Sequence, residues 1–164
     1  MNEAYYEIMV KKKTPSSLKI AQLVAGILTV FFALISLIGM FWGMLLAIVC
    51  GVGCYFLSMY NKVEFEYLYV DKELQIDRIL ARSKRKRMET LDLKQFEILA
   101  PLHSHELNSY RNGKFRKVDY SSGDGVNDKS KYALVINDKM VIFEPTEEMV
   151  KTIKMFAPRN VFMY

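Results

Sequence analysis

Hydrophobic and polar positions divide the chain into three stretches of different periodicity. Residues 1–19 form a polar leader, with Glu3 and Glu7 followed by Lys11, Lys12, Lys13 and Lys19, and Pro15-Ser16-Ser17 as a helix-start signal. From Ile20 to Tyr60 no Asp, Glu, Lys, Arg or His occurs, and Gln22 and Asn61 bracket the run. That is about twice the ~20 residues needed by one membrane-spanning helix; as a single helix it would measure about 60 Å against a hydrocarbon core of about 30 Å. Tilt cannot absorb the excess. The run must reverse, and Gly39-Met40-Phe41-Trp42-Gly43 is the expected place, because glycine permits the turn and Trp42 suits the headgroup layer. Residues 20–60 are therefore predicted to be a two-helix transmembrane hairpin. A secretory signal would be shorter and would end in a small-residue cleavage site, whereas this run continues for two crossings.

From residue 62 onward the pattern alternates. Val63, Phe65, Tyr67 and Tyr69 interleave with Glu64, Glu66 and Leu68, and Asp71-Lys72-Glu73 reads as a turn before Leu74 and Ile76, so a β-hairpin is predicted. A basic segment, Arg78 and Arg82 to Arg87, leads into a third apolar run from Met88 to Leu99 that Pro101 stops. Residues 101–131 are polar and rich in turn signals, with Asn112-Gly113 and Gly123-Asp124-Gly125 around a weak strand from Lys114 to Tyr120; a long, mobile loop is expected. Tyr132 to Ile136 and Met140 to Phe143 flank Asn137-Asp138-Lys139 as a second hairpin. Thr146 then caps a helix with Glu147 and Glu148 in its first turn and Met149, Ile153 and Phe156 as its apolar stripe. The predicted fold class is a membrane α-helical hairpin plus a β-rich (α+β) soluble domain over 62–164. Its five to seven antiparallel strands would form a small curved sheet or open barrel closed by the C-terminal helix.

Composition sharpens this picture. The whole chain carries a formal net charge of +5, nearly all of it outside the apolar run. Lysines precede the first arm and Lys62 follows the second, while the turn between them is uncharged, so the positive-inside rule puts both termini and the domain on the cytoplasmic side of the cell membrane. Cys50 and Cys54 both lie in the apolar run, which excludes a disulfide framework for the soluble part and marks them as small packing residues.

Two closely spaced membrane helices, strands beginning at Val63 and Glu73, and a closing helix from Thr146 to Lys154 together resemble small Gram-positive bacterial two-helix membrane proteins of unassigned function. Their soluble portion is similar to a bacterial pleckstrin-homology-like (PH-like) domain. The resemblance covers about residues 18–164 and implies a binding or scaffolding module; it assigns no functional residue.

Three features could carry chemistry. Small residues recur every fourth position at Ala21, Ala25, Thr29 and Ala33 and at Gly43, Ala47 and Gly51, which in lipid would let backbones approach, within the hairpin or with a second copy. Chance abundance of Ala and Gly in an apolar run is the plain alternative. The basic run of Arg82, Lys84, Arg85, Lys86 and Arg87 is either an edge that attracts anionic headgroups or a solvated turn that helps fix orientation. His103-Ser104-His105-Glu106 offers three donors in four residues, yet with two histidines and no cysteine in the domain no metal site is expected, and Asp124 and Asp128 miss the EF-hand spacing.

No nucleophile elbow, phosphate loop, zinc-protease motif or kinase signature is present, and no cofactor is expected. Residues 62–164 hold 19 Lys/Arg against 16 Asp/Glu, a net charge too small, without a recognition motif, for nucleic-acid binding. The apolar run lacks the buried ionisable residues of an ion path. The sequence thus points to a membrane-anchored, non-enzymatic module that engages membrane lipid or a protein partner. The alternative is a structural subunit, in a homo-oligomer or larger membrane complex.

Overall fold

The structure, a computed structural model, describes residues 5–39, 41–81, 83–123 and 128–163. The expected turn residues Met40, Asp124, Gly125 and Asn127, and Arg82 of the basic run, lie outside the described residues. The chain divides into two compact units: Met1–Lys13, Glu64–Ile79 and Arg85–Tyr164 form one, and Thr14–Val63 with Leu80–Lys84 the other.

The smaller unit is built on helices α1 (Ser16–Leu37) and α2 (Phe41–Tyr60), each long and apolar enough to cross a membrane. Gly39 takes φ +94° at the reversal, a value that only glycine adopts without strain. Side chains that cover one another form one seam. It runs through Leu18, Gln22, Ala25, Thr29, Phe32 and Ile35 on α1, and Gly43, Ala47, Cys50, Gly51 and Cys54 on α2. Most of the remaining surface of both helices is apolar and exposed. Polar groups gather at the end where the chain enters and leaves. Asn61 Nδ2 donates to Gln22 Oε1 at 2.5 Å, Thr14 Oγ1 donates to the Asn61 carbonyl at 2.7 Å, and Cys54 Sγ lies 3.7 Å from the Gln22 carbonyl.

The larger unit contains two four-stranded sheets. In the first, β1 (Tyr6–Lys11), β2 (Val63–Val70), β3 (Glu73–Leu80) and β4 (Lys84–Asp92) lie side by side in that order. β1 corrects the reading of 1–19 as a leader only: Tyr6 pairs with Tyr69 and Lys11 with Glu64 in antiparallel register, so the chain runs from one strand into the helical hairpin and returns on the neighbouring strand. The β2–β3 turn is a tight one, with Asp71 and Lys72 both at positive φ.

The second sheet has the order β5 (Ile98–Pro101), β7 (Tyr132–Ile136), β8 (Lys139–Phe143), β6 (Arg116–Asp119). β5–β7 and β7–β8 are antiparallel, whereas β6 runs parallel to β8, a departure from the all-antiparallel expectation. The segment expected as a long loop is largely structured: a short helix α3 (Asn108–Arg111) precedes β6 and packs Leu107, Leu102, Tyr110 and Phe115 over Ile98, Ala100, Ala133, Val135 and Met140. Gly113 is required there, since a Cβ would sit 2.4 Å from the Phe115 ring. Every residue of β5 and β7 is buried, as their unbroken apolar runs anticipate.

The closing helix α4 (Glu147–Phe156) is capped by Thr146, whose Oγ1 accepts from the Met149 amide, and it buries Met149, Val150 and Ile153. Between the sheets, Tyr67 packs edge-on against Phe143 with ring centroids 5.6 Å apart, and its hydroxyl donates to the Tyr120 carbonyl at 2.6 Å. Lys139 on β8 reaches Glu89 on β4 at 2.9 Å. Burial pushes the Tyr67 phenol well above its ordinary value of 10.0.

Tyr67→Phe is expected to cost about 1–1.5 kcal/mol at neutral pH, because the Tyr120 carbonyl loses its donor. The unfolded chain ionises this phenol first, so the stability linked to it is complete below pH 10 and is lost as pH rises further. The wild-type advantage in melting temperature should therefore shrink above pH 10; a difference constant into alkali would show that the hydroxyl is not buried and hydrogen-bonded as described.

Candidate binding surfaces

The basic run forms a strand, not a turn. Lys84, Arg85, Lys86 and Arg87 are the first four residues of β4, and the β3–β4 connection is Ala81 to Ser83, with Ala81 at φ +50°. Two of the four cations are already matched. Arg85 pairs with Glu66 on β2 and, through Nε, with Asp77 on β3 at 3.4 Å; Arg87 Nε lies 3.4 Å from the same Asp77. Glu66 and Asp77 are 4% and 7% exposed, so without the guanidiniums these carboxylates would be buried charges lacking countercharge. Arg85 and Arg87 therefore belong to the sheet. Lys84 and Lys86 remain exposed and form no ion pair among the described residues.

The tip of this β-hairpin belongs to the helical unit. Residues Leu80–Lys84 cluster with Thr14–Val63, and the Ala81 amide donates to the Lys62 carbonyl at 2.8 Å, just beyond the end of α2. Lys84 thereby belongs to the same compact unit as Lys62.

Within the helix pair the small residues are unequal. Gly43 is buried, and a Cβ there would come 2.9 Å from the Phe32 carbonyl oxygen and 3.0 Å from the Ser36 nitrogen, both backbone atoms. At Gly51 the nearest atom would be Thr29 Cγ2 at 3.5 Å, and Ala47 and Ala25 are half-buried along the same seam. Ala21 and Ala33 are exposed at the flanks of the seam on α1. Gly26 and Gly53 face open space.

His105 is exposed and pairs with its neighbour Glu106 at 3.2 Å. Among the described residues no three His, Cys, Asp or Glu side chains converge as a metal site would require. His103 instead borders a cleft of about 320 Å³ between the α3 segment and strands β6 and β8, together with Arg111 and Lys117. No single stretch of sequence announces this cleft: its lining runs from Leu102 to Ile142 and is assembled by the parallel β6–β8 pairing.

Two sheets closed by one C-terminal helix, with aromatic packing between the sheets, define the larger unit as a PH-like domain. The chain belongs to the bacterial PH-like domain family DUF6106, whose model matches residues 2–163 and so takes in β1 and both apolar helices. No significant match to a curated protein or to a solved structure accompanies it.

The contacts at the glycines order the effects of substitution. Gly43→Leu should lower the thermal stability of the detergent-purified protein by about 1–3 kcal/mol, as overpacking against backbone does, with Gly51→Leu milder and Gly53→Leu near neutral. Equal effects at all three positions would show that the seam is not where the helices meet.

Proposed function

We propose that this chain is a membrane-anchored, non-enzymatic binding module whose PH-like domain engages anionic lipid at the cytoplasmic surface of the membrane. The PH-like fold is typically a binding fold, and two helices long and apolar enough to span a bilayer fit an anchor. The observation that supports the lipid reading is that the β3–β4 tip clusters with the helix pair in one compact unit, which holds both Lys62 and Lys84, with Lys86 following on the strand. Each basic residue near an anionic surface contributes about 1 kcal/mol, and the attraction decays within a Debye length of about 8–10 Å. The lysines that flank the helices, Lys11, Lys12, Lys13 and Lys62, add to the same field. Arg85 and Arg87 contribute less, because Glu66 and Asp77 neutralise them.

Orientation follows from the same charges. A cysteine at Phe41, in the uncharged turn region, is expected to react with a membrane-impermeant thiol reagent in intact cells, and one at the exposed Ser109 is not. Labelling at Ser109 would reverse the assignment.

Lipid engagement is tested on the full chain, since a fragment starting at residue 62 would lack β1. Protein purified in mild detergent should retain labelled anionic lipid in preference to zwitterionic lipid, with the preference falling as salt rises. Lys84→Glu with Lys86→Glu should reduce that preference several-fold, two attractive contributions becoming repulsive. Retention indifferent to headgroup charge, or unaltered by the double substitution, would favour the structural-subunit reading instead.

A further inference from the structure

The cleft beside α3 has the chemistry of a binding site for a small organic anion. Its apolar side is formed by Leu107 and Met140, both buried, and by Ile142. Its polar side carries Arg111, Lys117 and His103, and no carboxylate is among the lining residues. The two permanent cations are held by backbone carbonyls: Arg111 Nη2 donates to Leu102 O at 2.6 Å, and Lys117 Nζ donates to Arg111 O at 3.3 Å. A carbonyl fixes the position of a cation but supplies no countercharge, so the positive charge of both side chains is left uncompensated. Each also keeps further donors, a guanidinium having five N–H groups and an ammonium three. Neither forms an ion pair among the described residues, in contrast to Arg85 and Arg87 on β4.

From this arrangement we infer that the cleft binds the phosphomonoester of a small, partly apolar molecule. Two fixed cations match a dianion, and the three terminal oxygens of a phosphomonoester can accept from a guanidinium and an ammonium together, whereas a carboxylate is satisfied by one guanidinium fork. The apolar wall rewards an organic body over free phosphate. The volume, about 320 Å³, lies at the small end of ligand sites, which run from about 300 to 1,000 Å³. This site is separate from the β4 lysines and stands whether or not they touch lipid.

The test is calorimetric titration of the detergent-purified full chain with phenyl phosphate, benzoate and inorganic phosphate. Phenyl phosphate should bind most tightly, and Arg111→Gln with Lys117→Gln should weaken it about tenfold or more, the loss expected for charge-assisted hydrogen bonds. Lys117→Glu alone, at an exposed strand position, should also weaken it with the melting temperature retained. Lys84→Gln with Lys86→Gln should leave it unchanged. The inference is overturned if phenyl phosphate does not bind, if benzoate binds equally well, if binding survives loss of both cations, or if it is lost with the β4 lysines.

Discussion

The structure depends on one constraint: residues 20–60 carry no charge, and at about 1.5 Å per residue they are too long for one straight helix of bilayer length. Reversal at Gly39 is the outcome, and it brings Gln22 near the start of α1 and Asn61 after α2 to the same end of the helix pair. Because β1 ends at Lys11 and β2 begins at Val63, the helical hairpin occupies the position that a tight turn holds in an ordinary β-hairpin. Helix pair and domain are therefore not strung end to end; the helix pair is inserted in sequence between the first two paired strands of the sheet.

That insertion shapes the distribution of charge. The helical unit holds Lys62 and Lys84, while Arg85 and Arg87 are drawn into the sheet by two nearly buried carboxylates. A run that reads as one block of positive charge is thus divided by the pleat and by its partners into a structural half and an available half. The second sheet shows a similar division, with Arg111 and Lys117 at a cleft that no carboxylate lines and with strands β5 and β7 buried throughout.

Much of this was legible locally, and the failures share a cause. The two helices, the β2–β3 hairpin, the β7–β8 hairpin and the capped α4 all follow from periodicity and turn residues within a few positions of one another. β1 had the same alternation of half-buried Tyr6, Ile8 and Val10 with exposed Glu7, Met9 and Lys11, but Met9 broke its polar face in the sequence and the lysines after it read as the flank of a membrane helix. β4 was hidden because Glu66 and Asp77, which make arginine tolerable in that strand, stand about 20 and 10 residues away. The cleft needed more still, since a parallel pairing such as β6–β8 leaves no local mark in the sequence. Gly113 shows the same limit: its turn was readable from Asn112-Gly113, its closeness to the Phe115 ring was not.

The position of the hairpin between β1 and β2 has a consequence for how the sheet is assembled. Closing a flexible loop of about 50 residues to bring Lys11 against Glu64 would cost roughly 3.5 kcal/mol in chain entropy. A helical hairpin that has already formed has met that cost before the sheet closes, since α1 and α2 pair and bring their two ends together. During synthesis β1 therefore stays unpaired until both helices are made. The helical hairpin then acts as the nucleating turn, and its failure to form would leave an orphan edge strand open to the wrong partner.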